Sequence, residues 1–267
     1  MKHCLYLLAL LAISCGTAPE GQYPAVKSYV VNYNPGDPET YTFKYDAQGR
    51  IVQIENNWDS SYDGKHHAHS WKYAYKENSA QIKEKIWGRD VDSQADFQGD
   101  FQHAVYVHEG ESYDEELETY YLGSNLNFTY QDGLMVKSLL YDLTSDGTDS
   151  TEYTWSPDGN IVKIDSSDPS VGLSITNIVY SPTDNPFTGV DPTALMFPSE
   201  PYFRFGMAGP RPSKLIWSYT QTVEDWCEDD VLTQQVKIEY ETNADGLISR
   251  IDKVVDGEVR LSVSITY

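Results

Sequence analysis

Tyr41-Thr-Phe-Lys-Tyr-Asp-Ala-Gln-Gly-Arg-Ile-Val-Gln-Ile54 decides the fold class. Tyr41, Phe43 and Tyr45 occupy every second position, with Thr42 and Lys44 between them, so the rings share one side of an extended chain. A helix would scatter those rings around its axis. Asp46-Ala-Gln-Gly49 then supplies turn chemistry, with a short side chain that bonds its own backbone and a glycine free to adopt positive φ. The apolar Ile51-Val-Gln-Ile54 follows as a returning strand. The phrase recurs as Phe128-Thr-Tyr-Gln-Asp-Gly-Leu-Met-Val-Lys137, as Tyr153-Thr-Trp-Ser-Pro-Asp-Gly-Asn-Ile-Val-Lys-Ile164 and as Ile238-Glu-Tyr-Glu-Thr-Asn-Ala-Asp-Gly-Leu-Ile-Ser-Arg-Ile251. Trp71, Tyr73 and Tyr75, and Val263, Ile265 and Tyr267, alternate in the same way. The pattern predicts an all-β chain: a large antiparallel up-and-down meander of roughly 14–16 strands with one apolar face. So many strands must curl into a barrel-like sheet or split into two layers.

Composition agrees. Of 267 residues, 21 are Tyr, 6 Trp and 8 Phe, too aromatic for a disordered chain. Lys and Arg total 19 against 41 Asp and Glu, a formal charge of −22. That excess of acid excludes a general nucleic-acid binder, which needs clustered cations, and opposes electrostatic docking on anionic lipid. Residues 181–213 interrupt the rhythm with Pro182, Pro186, Pro192, Pro198, Pro201, Pro210 and Pro212. Central strands cannot carry that density, because each proline lacks a ladder donor. The segment reads as a connection over one end or side of the sheet, or equally as a boundary between an N-terminal body and a C-terminal sheet, with a short helix at Asp191-Pro-Thr-Ala-Leu-Met196, where Asp is N-cap and Pro the first position.

The first residues, Met1-Lys-His-Cys-Leu-Tyr-Leu-Leu-Ala-Leu-Leu-Ala-Ile-Ser-Cys15, read as an address. Lys2 precedes an apolar run, Leu5 to Ile13, too short to span a bilayer. Ala12-Ile13-Ser14-Cys15 resembles the lipobox of bacterial lipoproteins, which implies cleavage before Cys15 and acylation of its thiol. Gly16, rather than Asp, after the cysteine favours the outer membrane, facing either the periplasm or the surface. The expected organisation is a signal peptide at 1–14, a lipidated tether at 15–25 and a single β-rich domain at 26–267. Cys227 would be the one thiol left in the folded body, which excludes an intramolecular disulfide, and its acidic neighbours make it a poor nucleophile.

The Tyr45-Asp-x-x-Gly-Arg-Ile51 phrase resembles YD repeats, the hairpin units of Rhs-type shells. The order of lipobox, tandem Tyr/Asp-Gly hairpins, Asn185-Pro186-Phe187 with its Pro/Gly-rich stretch and a final hairpin pair resembles, over roughly residues 25–267, a bacterial lipoprotein family catalogued as a domain of unknown function with a porin-like fold. The resemblance implies an exported barrel-like domain and supplies no catalytic residues.

Candidate sites are few. His67 and His69, in Asp63-Gly-Lys-His-His-Ala-His69, would project from one face of a strand near enough to share a zinc ion, given a third ligand from His103 or His108, but a polar hairpin flank explains them without a metal and is the preferred reading. Asp90, Asp92 and Asp96, and Asp142, Asp146 and Asp149, lack the layout of a calcium loop and read as turn and surface residues. Two carboxylates flanking a sugar bond could hydrolyse it; Glu116 and Glu118, beside Glu115, would share a strand face with Tyr120, but no opposing acid is evident. No catalytic motif occurs, so a non-enzyme is expected, with no cofactor. Trp58, Trp87 and Trp226 lie near turns or strand ends, where a flat ring can stack on a sugar. The expectation is a lipid-anchored binding or structural module of the cell envelope, in contact with the membrane through its lipid and with a glycan or protein ligand. The alternatives are an exported polysaccharide hydrolase and an outer-membrane pore, the latter consistent with the terminal aromatic of Val263-Ser-Ile-Thr-Tyr267.

Overall fold

The computed structural model describes residues 24–76, 79–86, 89–96, 103–105, 112–114, 119–121, 124–131, 134–142, 148–167, 171–187, 190–197, 212–225 and 230–267. Cys15, Trp87, His108, Glu115, Glu116, Glu118, Asp146, Trp226 and Cys227 lie outside these residues.

The alternation of rings and polar residues makes strands. These are β1 (Ser28–Tyr33), β2 (Glu39–Tyr45), β3 (Ile51–Asp59), β4 (His66–Tyr75), β5 (Ser79–Ile86), β6 (Arg89–Asp96), β7 (His103–Val105), β8 (Ser112–Asp114), β9 (Thr119–Tyr121), β10 (Ser124–Gln131), β11 (Leu134–Asp142), β12 (Thr148–Trp155), β13 (Ile161–Ser167), β14 (Val171–Asp184), β15 (Lys214–Asp225), β16 (Asp230–Thr242), β17 (Ile248–Val255) and β18 (Glu258–Thr266). Each pairs antiparallel with its neighbours in sequence, except that β7 lies against β10 while β8 and β9 form a separate two-stranded ribbon. β1 pairs with β2 on one side and with β18 on the other, so the meander closes on itself. Closure removes the unpaired edges that an open sheet of this size would expose.

The apolar face points inward. Tyr29 and Val31, Tyr41 and Phe43, Tyr73, Tyr153, Ile175, Ile238, Ile251, Val263 and Ile265 are buried in one continuous cluster. The alternate residues, among them Lys44, Lys72, Glu152, Thr154, Lys237, Glu239 and Thr266, are exposed. This polarity is the reverse of a lipid-spanning barrel, which carries its apolar belt outside and a polar lumen within.

The recurring hairpin has one local structure. In its turns Asp46, Ser156 and Asn243 hold equivalent places. The backbone N–H of each donates to the carbonyl four residues on, at 2.9, 2.8 and 2.9 Å, and its own carbonyl accepts from Gly49, Gly159 or Gly246 at 3.0 Å. Those glycines have φ of 77°, 75° and 78°, which any side chain would strain. After each turn the returning strand bulges. Tyr45 faces Ile51 but Lys44 faces Gln53, so Val52 has no partner; Val162 and Ser249 are skipped likewise, as is Val136 in the β10–β11 hairpin. The extra residue lets Ile51 and Ile54, Ile161 and Ile164, and Ile248 and Ile251 all face the core at a spacing of three.

These turns share one end of the barrel, which the proline-rich connection plugs. A 3-10 helix spans Pro192–Met196, with Asp191 as N-cap accepting from the Thr193 N–H at 2.9 Å and Pro at the helix start. Phe187, Val190, Leu195, Met196 and Phe197 are buried under the strands. The Tyr219 hydroxyl donates to the Met196 carbonyl, and the Ser213 N–H donates to Gly159 O at 3.2 Å, stitching the connection to the β12–β13 turn.

Candidate functional site

Toward the opposite end the inward face changes character. The register sets two polar rows across β2, β3 and β4: Glu39, Trp58 and His67 nearest the mouth, then Tyr41, Asn56 and His69. Below them Phe43, Ile54 and Trp71 begin the apolar core. The strict period of β4 places His67, His69, Trp71, Tyr73 and Tyr75 on the inner face, and its outer face carries His66, Ala68, Ser70, Lys72 and Ala74.

His67 and His69 therefore do share a face, and Trp58 joins them. The Trp58 and His67 rings stack at 5.0 Å and 17°, while His69 meets Trp58 edge-on at 4.9 Å and Trp71 edge-on at 5.9 Å. The three rings nearest the mouth are half-buried, so they are held by neighbours yet reach solvent. Polar groups surround them. His67 Nε2 lies 3.1 Å from an Asp63 oxygen. Glu39 Oε2 accepts from the Tyr41 hydroxyl at 2.6 Å and from Asn56 Nδ2 at 3.4 Å. The other Asn56 amide atom, Oδ1, is buried without a hydrogen-bond partner among the described residues. A groove of about 880 Å³ lies along this wall, lined mainly by the outer rows, Glu55, Asn57, His66, Ala68, Ser70 and Lys85, together with Asp63, Lys65, His67 and His69.

The electrostatics follow from these contacts. The Lys65 backbone N–H, with help from His67 and Ser60, holds the Asp63 carboxyl down at about 2 against slight desolvation, so it stays an acceptor at neutral pH. Burial pushes the His69 imidazole below its ordinary value, and neighbouring His67 adds to this while Glu39 opposes it. Burial, then the Glu39 carboxylate, raises the Tyr41 hydroxyl well above the tyrosine range, so it remains a donor. The site thus offers flat rings, neutral donors and fixed acceptors. Among the described residues no group of three or more His, Cys, Asp or Glu side chains is placed to hold a metal ion.

Lys253 is a group the sequence reading passed over. It sits on the inner wall of β17, where Ile251 and Val255 flank it at two residues' distance, and that spacing was its signal. Its amine lies 5.7 Å from the Tyr219 ring centroid and 3.4 Å from Gln221 Oε1. Burial pushes the amine down to about 8.

No protein-family model and no curated protein matches the chain. Solved structures do. One is a porin-like protein from Bacteroides vulgatus, 12% identical with a TM-score of 0.58, over 92% of this chain and 99% of that one. Another is a porin-like protein from Bacteroides uniformis, also 12% identical at a TM-score of 0.58, over 92% and 98%. The chain has a porin-like fold. At that identity the likeness concerns architecture, which it extends along nearly the whole length of both chains.

Proposed function

We propose that this porin-like barrel is the folded part of an exported lipoprotein, tethered to the outer membrane through Cys15, and that it binds a carbohydrate at its open mouth without catalysing a reaction. One observation carries the binding reading: Trp58, His67 and His69 form a half-buried ring cluster at the mouth, away from the packed core, with Asp63 bonded to His67 and the bonded pair Glu39 and Asn56 in the same inner rows. A sugar presents an apolar ring face and equatorial hydroxyls, and sites that take one combine a flat aromatic with fixed polar groups. The apolar run before Cys15 and the small residues beside it support export and lipidation. The inward-facing apolar core and the plugged end favour a barrel in water over a conducting pore.

The test is a glycan array probed with the form lacking residues 1–15, alongside its Trp58→Ala variant. Binding to a defined set of glycans by the parent, weakened at least tenfold by the substitution with thermal stability retained, is the expected result. An array that stays blank would remove the reading. Labelling with radioactive palmitate, present in the full chain and lost on Cys15→Ser, tests the anchor separately.

A further inference from the structure

Several cations of this acidic chain pair with a carboxylate close by. Lys44 meets Glu55, Arg50 meets Asp46, Lys137 meets Glu152, Lys163 meets Asp165 and Lys237 meets Glu239. Lys253 differs. Among the described residues no carboxylate comes within ion-pair distance of it, although the chain carries 41. Its partners in register, Ile238 on β16 and Leu261 on β18, are apolar and buried. Gln221 accepts one of its three N–H bonds, and the Tyr219 ring lies against the charge. Solvent reaches this stretch of wall, because Gln234 on the inner face of β16 is half-buried and Leu232 beyond it is 53% exposed.

A desolvated ammonium with no counter-charge is costly, and an apolar side chain between Ile251 and Val255 would pack without that cost. We infer that Lys253 is the anion-recognition point of the lumen, where with Gln221 it takes the carboxylate of an acidic sugar unit. The inference rests on the carbohydrate-binding reading and narrows it to acidic glycans. Four strand spacings separate β17 from β3, about 19 Å around the wall. An oligosaccharide of several units therefore reaches from the Trp58 rings to this amine. Burial lowers the proton affinity of Lys253, and a bound carboxylate would favour the charged form again.

The test uses an array on which each neutral oligosaccharide also appears with uronic or sialic acid units, probed with the soluble chain and with the Lys253→Met, Lys253→Arg and Trp58→Ala variants. Acid-bearing glycans are retained and their neutral counterparts are not. Lys253→Met loses roughly tenfold or more, as expected for a charge-assisted hydrogen bond, and Lys253→Arg keeps part of the binding. Met suits the apolar surroundings, so a thermal melt separates lost binding from lost fold. Neutral glycans bound as well as acidic ones, with Lys253→Met indifferent, would overturn the inference and leave the mouth reading standing. Acidic glycans lost with Lys253→Met but untouched by Trp58→Ala would uphold the anion site and remove the ring platform. A blank array overturns both.

Discussion

Asp46 shows how one side chain fixes a hairpin. Its Oδ1 accepts from the backbone of Gln48 and Arg50, both at 2.9 Å, and its Oδ2 accepts from Arg50 Nε at 2.8 Å. The Arg50 guanidinium, so held, lies 4.4 Å from the Tyr75 ring centroid. Desolvation is the largest single influence and works against ionisation, but the Arg50 and Gln48 hydrogen bonds and the Arg50 charge together outweigh it and hold the carboxyl below its usual range. A carboxyl lowered by folding stabilises above its unfolded value and loses that contribution as pH falls through the folded one. Asn243 does the same turn work uncharged, accepting from Asp245 and Leu247 at 3.0 Å. Asp46→Ala should therefore cost about 1–2 kcal/mol at neutral pH and less in acid, whereas Asp46→Asn costs little at any pH. Urea denaturation at pH 7 and pH 3 measures both. Lys253 carries the opposite sign. Its folded value of about 8 lies below the unfolded one, so the charged amine opposes folding at pH 7, and that penalty fades as pH climbs from about 8 toward 10.4. Lys253→Met should raise stability at pH 7 by on the order of 1–3 kcal/mol, with the gain gone near pH 10.5. A thermal melt series across that range decides it.

At the scale of the element, the bulge and the ring that caps it are one unit. Each bulge frees a carbonyl from the ladder, and an aromatic from a strand further along takes it up. Tyr75 donates to Ile51 O at 2.7 Å, Trp155 Nε1 to Met135 O at 2.7 Å, Tyr180 to Ile161 O at 2.8 Å and Tyr267 to Ile248 O at 2.9 Å. Tyr240 does the same for Ile216 O at 2.8 Å, where β15 is itself irregular opposite β14. Burial raises the Tyr180 and Tyr240 hydroxyls, chiefly by desolvation, so both remain donors at any pH the fold survives. Tyr180→Phe and Tyr240→Phe each leave a half-buried carbonyl unpaired and should cost about 1–2 kcal/mol. The two sites lie on one side of the barrel, and a double variant losing more than the sum would mark them as a coupled network. The hairpins themselves were legible, because Tyr41, Phe43 and Tyr45 alternate and Asp-x-x-Gly turns have few alternatives. The bulge had a signal that period-two counting passes over: Ile51 and Ile54 are three apart, as are Ile161 and Ile164. The hydroxyl partners were not legible, since Tyr75 meets Ile51 only through the registers of two successive strand pairs. For the same reason Trp58 and His67 stand as separate candidates in the sequence. Their stacking depends on a β3–β4 register that the intervening turn, rather than either residue, determines. Closure was beyond the sequence as well, because nothing in Ser28-Tyr-Val-Val-Asn-Tyr33 singles out β18 as a partner.

For the whole molecule, the two ends of the barrel have unlike tasks, and the chain's direction assigns them. β1 begins at the plugged end, where the Tyr45 hydroxyl donates to Val26 O at 2.7 Å and ties down the residues that lead into the strand. The turns after β2, β12 and β16 lie at this same end, and the turns after β1, β3 and β17 lie at the mouth. The proposed lipid on Cys15 would therefore attach through residues 16–25 to the closed end, with a reach of at most about 35 Å. Two or three acyl chains hold such a tether firmly, while a body of net negative charge is repelled by anionic headgroups. If the proposed anchor holds, these together would set the mouth away from the bilayer, where a large glycan could approach without displacing lipid. Tyr62, at the tip of the β3–β4 turn, is 99% exposed and marks the mouth, and Asp245, in the β16–β17 turn, marks the plugged end. Fluorophores placed by Tyr62→Cys and Asp245→Cys, in a Cys227→Ser background of the lipidated chain in proteoliposomes, should respond differently to quenchers carried on lipid headgroups. The Asp245 position is quenched strongly and the Tyr62 position weakly. Equal quenching would mean that the barrel lies on its side, and stronger quenching at Tyr62 would mean that the mouth faces the membrane, which would make a lipid-linked rather than a free glycan the ligand to seek.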